Sequence, residues 1–178
     1  GDLTLFNWGD GTYWIMGSYY LRRWHMRWFV DHMGADVQVR NLGDEMCGFS
    51  LSGPNARAVI EQLSDGPVGE LPFMGCGAFD IGMLRCKVGR MSVTGALGYE
   101  IHCRMGDHIA LRRTLLEAGA KIGIKEIGFN AMMSLRLEKS YGVWSAEFTQ
   151  GYTPAMTAMD RWIDFDKQGF VGRDAALA

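Results

Sequence analysis

The sequence predicts an α+β fold in which antiparallel sheets carry helices on one face. Short β-rich runs alternate with glycine turns, and the 178 residues contain 24 Gly but only 4 Pro. Several longer stretches between those runs repeat apolar residues at helical spacing. The order strand, helix, three strands, helix in the middle of the chain favours helices packed on one side of an antiparallel sheet.

The first predicted elements are a hairpin and a helix. Residues 3–6 and 12–16 are β-rich and flank Asp10-Gly11, a dipeptide typical of hairpin turns. Ser18 is placed to cap a helix that runs to about Met33. Aromatic and apolar residues recur at helical spacing in that helix and are expected to lie in the core: Tyr20, Leu21, Trp24 and Trp28.

The middle and end of the chain are predicted to hold a further helix, a meander and three more helices. Gly53-Pro54 places proline in the first turn of a helix, whose apolar face is Ala56, Val59, Ile60 and Leu63. The predicted strands are 37–40, 46–51, 77–81, 84–88, 91–94 and 99–103. The later helices are 107–118, capped by Asp107, then 126–139, and one that begins near Gly172.

Composition excludes several classes of function. A net charge of −2 gives no basic patch for nucleic acid or an anionic membrane. The sequence has no apolar run of membrane-spanning length and no leader pattern, so we expect a soluble protein that is not secreted. The four Cys are far apart and are expected to be free thiols in a reducing compartment. The four His show no metal-binding spacing, and we predict no metal site.

Carboxylates and aromatic residues near strand ends are the residues that could carry chemistry. Taken alone, each is more often a solvated cap or a core ring than a functional group. They are Asp2, Glu100, Glu138, Glu147 and Asp160, with Phe6, Tyr99, Trp144 and Trp162.

Several motifs in a fixed order give these residues a context. Residues 1–5 (GDLTL), 51–56 (LSGPNA), 94–101 (TGALGYEI) and 134–139 (SLRLEK) precede Thr153-Pro154 and the segment 166–177 (DKQGFVGRDAAL). Together they resemble the aminomethyltransferase family, to which the glycine-cleavage T-protein belongs. Within that superfamily, residues 134–139 with Trp144 and Glu147, and residues 21–29, look similar to the folate-binding domains fused to dimethylglycine and sarcosine dehydrogenases.

The resemblance implies a fold and a division of the chain. Residues 1–36 would be a remnant of the first folate-domain subdomain, and 37–125 a ferredoxin-like βαββαβ subdomain. Residues 126–178 would form a helix and return segment. Family members are longer, so we expect a fragment of a longer protein that lacks parts of the folate cavity and any FAD-binding domain.

The resemblance also implies a reaction and its residues. Tetrahydrofolate would accept a formaldehyde-level carbon from N-methyl amine oxidation, with FAD in a dehydrogenase domain in cis. Asp2 matches the family's catalytic carboxylate at the folate amines, a role that suits proton transfer and charge stabilisation. Glu100 matches the carboxylate that binds the pterin. Phe6 and Tyr99 would contact the ring, and Trp162 would line the aminobenzoate end.

Departures from the family pattern leave alternatives open. Ala96 stands where a glutamate is usual, Val93 replaces a common tyrosine, and Met132 occupies the position of an arginine in free-standing T-protein. The alternatives are a folate-dependent O- or S-demethylase, or a folate-binding or scaffold domain without turnover. A nucleic-acid or membrane partner is not expected under any of these readings.

Overall fold

A computed structural model describes residues 3–177 of the chain. The chain divides into two compact units, Gly1–Tyr141 and Gly142–Ala178. The three-part division at 36/37 and 125/126 stays a prediction. No helix in the part described is long and apolar enough to cross a membrane.

Two antiparallel sheets form the β-structure of the first unit. Strands β1 (Thr4–Asn7) and β2 (Tyr13–Met16) make the predicted hairpin, with Phe6 opposite Trp14. The second sheet has four strands in the order β3-β6-β5-β4, and all neighbours are antiparallel. Its strands are β3 (Met46–Ser52), β4 (Cys76–Ile81), β5 (Leu84–Gly89) and β6 (Gly98–Arg104).

The helices of the first unit follow the predicted pattern. They are α1 (Arg22–His32), α2 (Ala56–Glu61), α3 (His108–Gly119) and α4 (Phe129–Glu138). The central order is therefore β3-α2-β4-β5-β6-α3, and the α+β class is confirmed. Within 37–125 this order is βαβββα and not βαββαβ, because residues 90–97 join β5 to β6 without a helix.

The core lies between the four-stranded sheet and helices α2 and α3. Alternate residues of the strands point to this side, which we call the helix face, since successive side chains of a strand point to opposite faces. Its buried members are Leu51, Ile81, Cys86, Val88, Tyr99, Ile101 and Cys103. They pack with Ala56, Val59 and Ile60 of α2 and with Leu111 and Leu115 of α3.

The hairpin packs on the opposite side of the sheet. Phe6 of β1 is only 3% exposed, and its ring lies directly over Gly89 of β5. The thiol of Cys76 in β4 donates to the carbonyl oxygen of Asn7 at 3.3 Å. The sheet is thus covered on both sides, by helices on one and by a short aromatic hairpin on the other.

Helix α1 corrects one prediction about the core. The helix is present, preceded by a 3₁₀ turn at Tyr19–Leu21, but the Ser18 side chain forms no capping hydrogen bond. None of its residues is buried, and Trp24 and Trp28 are 60% and 48% exposed. The expectation that this aromatic stripe lies in the core is wrong, because no other described element covers it.

Two predicted strands are absent. Residues 37–40 form no ladder, because turns flank them: Val37 N donates to Gly34 O, and the Asn41 side chain accepts from Gly43 N. Residues 91–94 also form no strand. There the Ser92 hydroxyl accepts from Thr94 N, a local side-chain bond that competes with strand pairing.

The second unit, as far as it is described, consists of turns and short helices. Two 3₁₀ turns lie at Ala155–Thr157 and Asp160–Trp162. The helix predicted near Gly172 is present as α5 (Arg173–Leu177). The Glu147 carboxylate accepts a hydrogen bond from Val143 N at 2.9 Å, which closes one of the turns.

Candidate functional site

Strand β6 carries three ionisable residues, Glu100, His102 and Arg104, to the side of the sheet that the hairpin covers. Glu100 and His102 are two residues apart and therefore share a face. The register places His102 opposite Gly48 of β3 and Lys87 of β5, and Glu100 opposite Gly89. We call this cluster the hairpin face; its members are Phe6, Trp8, Trp14, Lys87, Gly89, Glu100 and His102.

Aromatic rings of the hairpin cover the cluster. Phe6 and Trp8 stack with centroids 5.3 Å apart, and Trp8 meets Trp14 edge to face at 5.2 Å. The His102 imidazole has edge contacts with Phe6 at 6.2 Å and with Trp14 at 6.0 Å. Such contacts hold the imidazole between two rings and exclude water from it.

Gly89 allows the hairpin to approach this closely. A Cβ at position 89 would collide with Cε1 of the Phe6 ring and would lie 2.9 Å from its Cζ. Glycine is required here by contact and not by backbone conformation. The Phe6 ring therefore packs on the backbone of Gly89, which is opposite Glu100 in the sheet.

Charges of both signs lie within the cluster. The Glu100 Oε2 and His102 Nε2 atoms are 3.6 Å apart, and the two side chains are 19% and 10% exposed. The Lys87 ammonium lies 4.2 Å from the Trp8 ring centroid and 5.1 Å from that of Trp14. Both distances are in the range of cation–π attraction.

Polar atoms of the hairpin face have unused hydrogen-bonding capacity. Within residues 3–177, the buried Trp8 Nε1 and His102 Nε2 atoms have no hydrogen-bond partner. The contact of His102 with Glu100, at 3.6 Å, is longer than a hydrogen bond. Buried polar groups are nearly always paired in folded proteins. A carboxylate, an indole N–H and an imidazole nitrogen, the last two without partners, therefore suit a ligand with both donor and acceptor atoms.

The structure brings together two of the predicted site residues. Phe6 and Glu100 both lie on the hairpin face. Tyr99 does not: it is fully buried among core residues on the helix face. Neighbouring residues of a strand point to opposite sides, so the Tyr99 ring lies across the sheet from the Glu100 carboxylate.

The other predicted residues cannot be joined to this cluster. Asp2 lies outside the described residues. Trp162 belongs to the second unit, where its side chain is 73% exposed and the Arg161 guanidinium lies 5.3 Å from its ring. The roles assigned to Asp2 and Trp162 stay predictions.

Sequence reasoning missed five members of the cluster, namely Trp8, Trp14, Lys87, Gly89 and His102. The alternation of Tyr99–Cys103 contains the signal for His102, since it puts this residue on the same face as Glu100. Lys87 lies at the equivalent place in the alternation of β5. No signal in the sequence shows that the hairpin folds over this face.

The thiols on the helix face are in a different environment. Burial raises the pKa of Cys86 from 9.0 to about 11, and raises that of Cys103 to about 12 with a further contribution from the Cys47 side chain. The Cys47 and Cys103 sulfurs are 3.8 Å apart. No group of three or more His, Cys, Asp or Glu in residues 3–177 could hold a metal ion.

Comparison with known protein families gives the chain an identity. Residues 1–167 match the family described as the GCVT N-terminal domain. The chain belongs to this family. The predicted resemblance to the aminomethyltransferase superfamily is thereby confirmed.

Curated relatives come from two kinds of protein. The aminomethyltransferase of Bacillus licheniformis is 33% identical over 85% of this chain and 42% of its own length. That of Thermoanaerobacter sp. is 26% identical over 99% of this chain and 48% of its own. Human mitochondrial dimethylglycine dehydrogenase is 29% identical over 84% of this chain and 18% of its own. The chain thus spans less than half the length of these relatives, and the predicted dehydrogenase branch is represented among them.

A solved structure supports the fold. The heterotetrameric sarcosine oxidase of Corynebacterium sp., solved with pyrrole 2-carboxylate, superposes with a TM-score of 0.54 at 15% identity. The match covers 71% of this chain and 64% of that one. At this identity the likeness concerns the fold alone.

Proposed function

We propose that this chain is the tetrahydrofolate-binding part of an enzyme that transfers a one-carbon unit from an N-methyl amine. The product would be 5,10-methylenetetrahydrofolate. The supporting comparison is membership of the GCVT family, with aminomethyltransferases and a dimethylglycine dehydrogenase among the relatives. The observation that carries the proposal is the position of Glu100 on the hairpin face.

Glu100 is suited to bind a pterin. Its side chain is 19% exposed, and no described residue gives it a hydrogen bond. A pterin presents an amino group and a ring N–H side by side, which one carboxylate can accept in bidentate fashion. A largely desolvated carboxylate gains more from such a pair than an exposed one, because water competes less for its oxygens.

The hairpin provides apolar surface for the same ligand. Phe6 is positioned by Gly89 beside the carboxylate, and Trp8 and Trp14 extend the aromatic cover. A flat heteroaromatic ring bound at Glu100 would find these rings within contact distance. The residues present therefore fit the folate expected from the family.

Two further residues, Asp2 and Trp162, are proposed for roles that the family resemblance of the sequence implies. Bound tetrahydrofolate would supply two amines that each form a bond to a formaldehyde-level carbon, whose oxygen leaves as water. Asp2 would orient an amine and take its proton, and Trp162 would line the aminobenzoate end. An FAD-dependent dehydrogenase domain in cis would generate the carbon unit, in the bacterial cytoplasm or the mitochondrial matrix.

The test is calorimetric titration of the natural gene product with tetrahydrofolate, in the wild type and in Glu100→Gln. The substitution keeps the shape but removes the charge, and we expect affinity to fall by about 10- to 100-fold, as for a lost charge-assisted hydrogen bond. Glu117→Gln, an exposed position of α3, is the matched control and should bind as the wild type does. Equal affinity of wild type and Glu100→Gln would remove Glu100 from the site.

Product analysis separates the proposed reaction from the alternatives. Incubation with tetrahydrofolate and an N-methyl amine such as dimethylglycine should give 5,10-methylenetetrahydrofolate. A methyl group passed directly from oxygen or sulfur would instead give 5-methyltetrahydrofolate. Tight folate binding with neither product would indicate a binding domain without turnover.

A further inference from the structure

We propose that His102 is a positioning residue that holds the Glu100 carboxylate in the orientation needed by its ligand. This inference rests on the proposed function, since it concerns how Glu100 receives the pterin. The main supporting observation is a distance on one face of β6. The buried His102 Nε2 atom lies 3.6 Å from the Glu100 Oε2 atom.

The position of the imidazole is fixed by its surroundings. His102 is 8% exposed and lies between the rings of Phe6 and Trp14. Gly48 lies opposite on β3, and a Cβ there would come within 2.9 Å of the His102 Nδ1 atom. The ring is therefore packed on three sides, and its Nε2 edge faces Glu100.

The Nε2 atom has no other use in the described structure. Within residues 3–177 it is buried without a hydrogen-bond partner, while Glu100 Oε2 is the acidic oxygen within ion-pair distance of it. A movement of about half an ångström would bring the two atoms to hydrogen-bond distance. Both the neutral Nε2–H tautomer and the imidazolium can donate such a bond.

Other charged groups near His102 do not replace this contact. Lys87, its partner on β5, directs its ammonium over the Trp8 and Trp14 rings. Arg104 follows two residues later on the same side of β6 and borders an open cleft with Trp14, Arg40 and Glu45. The hairpin itself contributes aromatic rings to the packing. His102 is the cation-forming group whose polar atom lies against Glu100.

The position of Nε2 at one edge of the ring allows two amide variants to act as a matched pair. The glutamine amide nitrogen can take the place of imidazole Nε2, whereas the asparagine nitrogen takes that of Nδ1. His102→Gln therefore keeps a donor facing Glu100, and His102→Asn does not. Both variants are polar and uncharged, so general effects of the substitution on folding should be similar.

Tetrahydrofolate affinity of the natural gene product would be measured by calorimetry, with thermal unfolding to confirm folding. We expect His102→Asn to weaken binding about 10-fold, and His102→Gln to remain within about 2-fold of the wild type. In the Glu100→Gln protein, which lacks the carboxylate, adding His102→Asn should lower tetrahydrofolate affinity by less than about 2-fold further. A purely structural role of His102 would not disappear in that protein.

The outcomes separate this inference from the proposed function. Equal affinity of His102→Asn and the wild type would overturn it, as would equal losses in the Asn and Gln variants. The inference would also be overturned if His102→Asn lowered tetrahydrofolate affinity as much in the Glu100→Gln protein as in the wild type. If Glu100→Gln itself binds as the wild type does, the pterin role of Glu100 fails, and the positioning role of His102 fails with it.

Discussion

The two faces of the four-stranded sheet share the same strands but differ in what their side chains can do. On the helix face, Ile101 and its neighbours are fully buried against α2 and α3. On the hairpin face, one residue away along β6, Glu100 and His102 lie close together with polar atoms that no described residue satisfies. The helix face stabilises the fold, whereas the hairpin face leaves capacity for a ligand.

Mutations on the helix face should therefore affect stability, whereas mutations on the hairpin face should affect ligand binding. Because alternate residues of a strand point to opposite sides, adjacent positions in β6 sample the two faces with the same backbone. Substitutions at two neighbouring positions of β6 therefore test this difference between the faces without a change in strand pairing.

Ile101→Ala should have the largest effect on stability. Ile101 is 0% exposed in the core, and large-to-small substitutions at such sites lower the free energy of unfolding by about 2–5 kcal/mol. Urea unfolding would measure the loss. Glu100→Gln, at the adjacent position on the hairpin face, should change the same free energy by less than about 1 kcal/mol. Equal losses at both positions would contradict this difference between the faces.

Gly89→Ala should disturb the hairpin face by a smaller amount. Its new methyl group would collide with the Phe6 ring, and the displacement should lower the free energy of unfolding by about 1–3 kcal/mol. Folate affinity should fall as well, because Phe6 would move from its place beside Glu100. Gly106→Ala is the control, since nothing lies within 4 Å of a Cβ there. A tolerated Gly89→Ala would show that Phe6 is loosely placed.

The thiols of the helix face give a dependence on pH. Burial raises the pKa of Cys86 from 9.0 to about 11 in the folded protein. Above pH 9 the unfolded chain loses the thiol proton while the folded chain retains it, so stability should fall between pH 9 and about 11. Urea unfolding across this range would measure the fall. Cys86→Ala should show a shallower decline, and an unchanged slope would mean that Cys86 is not the group responsible.

Much of the fold could be predicted because the relevant signals are local. The Asp10-Gly11 turn, the glycine-separated strands and the apolar spacing of α2 and α3 each depend on a few neighbouring residues. The strand predicted at 91–94 failed for an equally local reason, since the Ser92 hydroxyl binds the backbone in its place. Propensity alone does not show which of two local hydrogen-bond patterns forms.

The site was harder to predict because it depends on contacts between distant segments. The family motif identifies Glu100, and alternation along β6 places His102 on the same face. The cover of Phe6, Trp8 and Trp14 depends on how the hairpin docks, which no spacing in the sequence determines. Tyr99, a motif neighbour of Glu100, lies on the other side of the sheet, and its predicted contact with the ligand ring stays a prediction.

Trp24→Ala should have the smallest effect on stability. It tests whether an aromatic residue at helical spacing in α1 contributes to the core. An aromatic residue at helical spacing predicts a core position, but Trp24 is 60% exposed and no residue of α1 is buried. Its loss should change the free energy of unfolding by about 0.5 kcal/mol or less, as for other surface substitutions. Trp14→Ala is the matched control, because Trp14 contacts both His102 and Lys87 and should cost on the order of 2 kcal/mol. If urea unfolding gave Trp24→Ala the larger cost, α1 would be part of the core after all, and the sheet would not be the only layer around which this unit is organised.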